Sequence, residues 1–223
     1  MRETGMGEGV FITVEGTEGS GKSTQARLLV EHLRGLQLRV TETREPGGTE
    51  IGEMIRRILL SPSKEKISAE TELLLILACR ADHVDRVIKP AMEQGNVVVS
   101  DRYADATIAY QGFGRGIDLE RIRALNEAAT GGLSPDLTLF LDLDVEVGLA
   151  RVEARLGQGD ADRFECETIE FHRRVREGYR DVAAREPDRV KVILADEAIE
   201  VVQERVQAVV REFLGAKSGV RYD

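Results

Sequence analysis

One turn between a strand and a helix constrains this chain more than any other feature. The run VFITVE at residues 10–15 is apolar, rich in β-branched residues and closed by a glycine, the pattern of a buried strand. Gly16, Thr17, Glu18, Gly19, Ser20, Gly21, Lys22 and Ser23 follow and satisfy G-x-x-x-x-G-K-[ST] at each fixed position. From about residue 23 to 36, Ala26, Leu29, Val30 and Leu33 then recur at helical spacing. Strand, glycine turn and helix is the context in which this motif holds a nucleotide. Glycines let consecutive N–H groups turn inward on phosphate, and the helix N-terminus adds a favourable dipole. Lys22 reaches the β- and γ-oxygens, and the hydroxyl of Ser23 suits magnesium. Residues 16–24, through Thr24, are therefore expected to bind ATP. Glu18, a carboxylate inside an anion-binding loop, needs a separate explanation.

Further apolar runs at 38–44, 96–102, 136–143 and 189–194 read as strands. Helical patterns cover 51–60, 70–92 (bent or ended near Pro90), 118–130, 145–156, a charged stretch reaching residue 185, and 198–214. This alternation predicts an α/β fold, a five-stranded parallel sheet with helices on both faces. Ligands in such sheets bind beyond the carboxyl ends of the strands. Those ends carry GTEGSGKS, REPGG and DRY, so Arg44, Glu45, Asp101 and Arg102 converge on the phosphate loop. No repeat or linker divides the chain, and residues 10–214 are expected to form one domain, flanked by flexible segments at 1–9 and 215–223.

The formal net charge of -9 argues against a nucleic-acid partner, which requires a concentrated basic face. Cys79 and Cys166 are too far apart in sequence to suggest a zinc site or a disulfide framework. With no signal-like N-terminus and no apolar run near the roughly 20 residues of a membrane span, a cytoplasmic protein without membrane contact is expected. His32, His83 and His172 are isolated on helical patterns and read as packing or surface residues, and Cys79 as a small buried apolar group.

An arginine and a carboxylate at each of two strand ends beside a phosphate loop suit phosphoryl transfer, where cations neutralise charge on the moving group and carboxylates organise metal and hydroxyls. A GTPase is disfavoured by the lack of NKxD and DxxG motifs. The segments EGTEGSGKST, TREPGGTEIG, TELLLILACRADH, VVVSDRYADATIAYQGFGRG, PDLTLFLDL and DRFE, in this order, resemble bacterial thymidylate kinase over nearly the whole of residues 10–214. The resemblance implies a P-loop NTPase fold and transfer of the γ-phosphoryl of ATP to dTMP, with magnesium held near Ser23 and Asp101. It implies that Arg102 grips the acceptor phosphate and that Arg80 meets the thymine edge, with Thr107 and Gln111 lining the base. Arg56 joins the acceptor pocket, Glu45 lies beside the sugar and metal, and Glu18 faces the sugar 3′-hydroxyl.

A mobile lid over about 151–166 would carry Arg151, Arg155 and Arg163. The phosphate loop offers Glu18 and Gly19 where another branch of the family has an arginine, so the resemblance implies that the catalytic cation comes from the lid, with Arg155 preferred and Arg163 next. The family usually stacks a phenylalanine on thymine where this chain has Ile76. That leaves dUMP, UMP or CMP as alternative acceptors, and a non-catalytic nucleotide-binding regulator as a reading from another class. A homodimer is implied too, through the apolar faces of the helices around 51–60 and 70–92.

Overall fold

The computed structural model describes residues 9–61, 66–156 and 161–218. Of the segments expected to be flexible, residues 1–8 and 219–223, and with them part of the lid at 157–160, lie outside the described residues. Five strands form a single sheet in the order β2-β3-β1-β4-β5. They are β1 (Val10–Gly16), β2 (Val40–Arg44), β3 (Val97–Asp101), β4 (Leu137–Asp142) and β5 (Val190–Leu194), and every pairing is parallel. All of β1 and β4 is buried, as expected of central strands covered on both faces. The register places Val14 opposite Asp101 and Gly16 opposite Leu141, so β1 delivers the phosphate loop to the point where the strand order reverses.

The helices begin where capping chemistry starts them. α1 (Lys22–Gly35) follows Gly21, whose φ of 89° closes the phosphate loop. Thr49 caps α2 (Glu50–Leu60) by accepting from the Gly52 N–H, and Ser68 caps α3 (Ala69–His83) by accepting from that of Thr71. The stretch expected to bend or end near Pro90 widens from α3 into a π-helical turn at Val84–Ile88, directly before Pro90 in the first turn of α4 (Lys89–Glu93), which ends three residues past the proline. After β3 comes an element that the apolar pattern did not disclose, a short α5 (Ala104–Thr107) widening into a π-helical segment at Ile108–Gly114. α6 (Leu119–Thr130), α7 (Val145–Leu156), α8 (Ile169–Arg185) and α9 (Ile199–Ser218) complete the order, α9 running past its expected end at residue 214. No helix among the described residues is long and apolar enough to cross a membrane.

One face of the sheet packs on α1 and α9 through Leu29, Leu33, Val206 and Val210, all fully buried beside Ile12 and Leu139. Phe140, Phe171, Val175 and Tyr179 on the other face join α8 to the sheet and to the segment that carries Tyr110. The close approach there depends on Gly178, since a Cβ at this position would stand 2.8 Å from Ala109 Cα and 2.9 Å from the Phe113 ring. In a free helix, replacing glycine by alanine is worth about 1 kcal/mol of stabilisation. Here the sign reverses: Gly178→Ala is expected to lower the urea midpoint and to reduce turnover, since the displaced segment carries Tyr110 and Gln111. A midpoint at or above that of the parent chain would remove this contact as a constraint.

Candidate active site

In the phosphate loop Gly19 adopts φ 71°, and a Cβ there would collide with the Gly148 carbonyl at the start of α7. The loop thus needs glycine to pass under α7. Lys22 is buried and donates from Nζ to the Thr17 carbonyl at 2.7 Å. Burial and the nearby Arg102 charge push its pKa down, opposed by Glu18 and Asp101. Ser23 donates to Asp101 Oδ2 at 2.5 Å, bringing the two residues expected near a metal into contact. A hydroxyl and a carboxylate beside a phosphate loop are hard oxygen donors of the kind magnesium takes, supplemented by phosphate oxygens and water.

Arg102 stands at the centre. Its φ of 74° is unusual for a residue with a side chain, and such strain, of order 1–3 kcal/mol, persists only where the surroundings over-determine the conformation. They do so here. Nη1 donates to the Gly16 carbonyl and the Tyr179 hydroxyl, both at 3.0 Å, and Nη2 donates to Glu18 Oε1 at 2.6 Å and the Tyr110 hydroxyl at 2.9 Å. The guanidinium also lies 4.7 Å from the Tyr110 ring centroid. The Tyr110 hydroxyl itself donates to Glu18 Oε1 at 2.7 Å. Burial alone would push the Glu18 carboxyl up, but the Arg102 and Lys22 charges outweigh it and hold the group at about 2. Glu18 is therefore an ionised partner of two cations, which is how the loop tolerates it.

The residues expected on the acceptor side share one cavity of about 620 Å³ with the phosphate loop; Glu45, Arg56, Ile76, Arg80, Thr107 and Gln111 all line it. Two of these residues are engaged with partners inside the protein. Arg80 is buried and spends its N–H groups on Glu45 Oε2, Thr107 Oγ1, Asn126 Oδ1 and the Tyr103 carbonyl, at 2.5 to 2.9 Å. Glu45 is correspondingly engaged by Arg80 and, through Oε1, by His83 Nδ1 at 3.0 Å. A buried guanidinium left unpaired would be costly, so it recruits a neighbouring carboxylate. His83 is therefore not isolated: fully buried, it links Glu45 to the Thr43 hydroxyl, 2.6 Å from its Nε2. Arg56 donates to the Pro46 carbonyl at 2.8 Å, next to the cis Glu45–Pro46 peptide.

The three arginines expected in the lid have different surroundings. Arg155, near the end of α7, is exposed and pairs with Glu165. Arg151 donates to the Ala195 carbonyl at 3.1 Å. Arg163 is held in the framework, donating to the Leu59 carbonyl at 2.8 Å and forming an ion pair with Glu72 Oε2 at 2.6 Å. Glu72 is fully buried and also accepts from Gln111 Nε2 at 2.7 Å and from Arg115.

Sequence reasoning missed Glu15, Glu72, Tyr179 and Asn126. Glu15 and Glu72 carry a possible signal, carboxylates within otherwise apolar runs. Glu15 is fully buried and accepts from the Tyr103 N–H at 2.6 Å and the Tyr179 hydroxyl at 2.8 Å. Burial, then the Asp105 charge, push its carboxyl up to about 8.

Comparison with known proteins is consistent with this geometry. The family model described as thymidylate kinase matches residues 14–206. A thymidylate kinase of Symbiobacterium thermophilum is 49% identical over 205 residues, covering 92% of this chain and 94% of the relative. One from Pseudomonas putida is 51% identical over 200 residues, covering 90% and 94% respectively. The crystal structure of thymidylate kinase from Ehrlichia chaffeensis superposes with a TM-score of 0.74 at 36% identity, covering 91% of this chain and 98% of that one.

The Glu18 pairing has a pH signature. Because its folded pKa of about 2 lies below the ordinary 4.5, its stabilising contribution is complete above pH 4.5 and fades as the pH falls towards 2. Glu18→Gln is expected to lower the melting temperature at pH 7, with the difference narrowing steadily below pH 4.5. A constant difference across that range, in paired thermal melts, would refute the ion pair.

Proposed function

The chain belongs to the thymidylate kinase family, with that family's activity of ATP-dependent dTMP phosphorylation and its P-loop NTPase fold, and we propose how its own residues carry out the reaction. The convergence of the phosphate loop, the Asp101–Arg102 strand end and the acceptor residues on one cavity supports this reading most directly. Gly16 to Thr24 hold the donor phosphates through backbone N–H groups, and Lys22 exchanges the Thr17 carbonyl for phosphate oxygens. Ser23 and Asp101 would hold magnesium, which when bound neutralises charge on the β- and γ-phosphates.

An oxygen of the acceptor's 5′-phosphate attacks the γ-phosphorus, the bond to the β–γ bridging oxygen breaks, and ADP leaves. Arg102 orients the acceptor phosphate by exchanging its Glu18 and Tyr110 contacts for phosphate oxygens, freeing Glu18 to accept from the sugar 3′-hydroxyl. Arg56 adds positive charge, and Glu45 flanks the sugar while holding Arg80. Arg80, Thr107, Gln111 and Ile76 line the end of the cleft that receives the base. Arg155, the exposed lid cation, moves from Glu165 to the transferring group. Arg151 supports the donor side of the lid, and Arg163 anchors the chain where the lid rejoins the body. Ile51, Met54 and Ile58 on α2 and Leu74 on α3 are exposed, which supports a homodimer through those helices.

The decisive measurement is ADP release with ATP, magnesium and a panel of nucleoside monophosphates. dTMP is expected to be preferred, and a higher kcat/KM for dUMP, UMP or CMP would reassign the acceptor. In the same assay Lys22→Ala and Arg155→Ala are expected to lower kcat by about 10³-fold or more, the scale of such cations in phosphoryl transfer. Wild-type turnover in either variant removes that residue from the mechanism. Glu18→Ala should penalise dTMP more than its 3′-deoxy analogue; equal losses would dismiss the sugar contact.

A further inference from the structure

We propose that Tyr179, held by the buried side chain of Glu15, positions Arg102 for phosphoryl transfer, forming the fixed side of a clamp whose movable side is Tyr110 with Glu18. The inference rests on Arg102 acting in the transfer as described above.

The guanidinium lies between two tyrosine–glutamate pairs, Tyr179 with Glu15 and Tyr110 with Glu18. On one side the Tyr179 hydroxyl donates to Glu15 Oε2 and accepts from Nη1; on the other the Tyr110 hydroxyl donates to Glu18 Oε1 and accepts from Nη2. Their surroundings differ. Tyr179 and Glu15 are buried, and the Tyr179 ring stacks on Phe140 of the central strand β4, with centroids 5.2 Å apart and planes at 22°. Glu18 and Tyr110 both line the cavity, and Glu18 sits on the phosphate loop. Both hydrogens of Nη1 therefore go to the frame, to Gly16 and Tyr179, whereas those of Nη2 go to groups at the cavity wall.

Glu15 grips the same residue a second time. Its Oε1 accepts from the N–H of Tyr103, the peptide directly after Arg102, at 2.6 Å. The Arg102 N–H donates to the Val14 carbonyl at 3.0 Å, and its carbonyl accepts from the Ser100 hydroxyl at 2.8 Å. The Glu15 side chain thus restrains both the left-handed backbone of Arg102 and, through Tyr179, its guanidinium. An isolated phenol would accept from Arg102 in several orientations. A phenol whose own hydrogen is committed to Glu15 presents its lone pair in one direction, so Nη1 acts as a pivot and the Nη2 edge turns towards phosphate. Tyr179 is a positioning residue in this scheme.

The test uses the full chain with ATP, magnesium and whichever acceptor the monophosphate panel prefers, so the outcome does not depend on that acceptor being dTMP. Tyr179→Phe removes one oxygen and keeps the stacked ring. It is expected to lower kcat by about 10- to 100-fold, as the loss of a hydrogen bond to a charged group predicts, with the ATP KM essentially unchanged. Tyr110→Phe, on the movable side, is expected to act mainly on the acceptor KM. In an Arg102→Ala background Tyr179→Phe should add no further loss, since there is no guanidinium left to position. Glu15→Gln, which keeps the side-chain shape, provides the second route and should follow the Tyr179→Phe pattern in both backgrounds. Wild-type kcat in Tyr179→Phe, or the same fold loss with and without Arg102, would overturn the proposal; loss confined to the Arg102-containing chain supports it.

Discussion

Buried positive charge is the constraint around which this cleft is built. Lys22, Arg80 and Arg102 are wholly or largely removed from water, and a cation in that position is costly unless it is paired and hydrogen-bonded. Each has its answer: Lys22 the Thr17 carbonyl and the Glu18 and Asp101 charges, Arg80 the Glu45 carboxylate, and Arg102 Glu18 with two tyrosine hydroxyls. These carboxylates are components of the charge balance, and Glu18, Glu45 and Asp101 all line the cavity.

That balance depends on the sheet. Parallel pairing of β1 between β3 and β4 brings the C-terminal ends of three strands to one edge, and the registers of Val14 with Asp101 and Arg44 with Asp101 set the spacing between the clusters. The helices then add side chains from far away in sequence: Arg80 from α3, Tyr110 from the widened segment after α5, Tyr179 from α8. The left-handed conformation of Arg102 is stable because partners from four segments of the chain hold it. Arg155 differs in kind, since its contact with Glu165 is exposed and such pairs contribute little to stability, so it can be exchanged at small cost.

The chain's local pattern already carries the phosphate loop, the five strands, most of the helices and the convergence of GTEGSGKS, REPGG and DRY. Apolar alternation, glycine placement and strand-end chemistry are properties of short windows, and short windows can be read. Which polar group meets which was decided only by tertiary structure. Arg80 and Glu45, Arg163 and Glu72, and Glu15 and Tyr179 are separated by 35, 91 and 164 positions, and no local rule pairs them. His83 looked like an isolated packing residue because its partners, Glu45 and Thr43, arrive from β2 and the loop that follows it. The segment after Tyr103 hid its helix because a π-helical turn breaks the 3.6-residue spacing by which helices are recognised. Sequence settled what kind of anion chemistry occurs at this sheet edge; burial, which forces every charged group to find a partner, settled how the charged groups there are held.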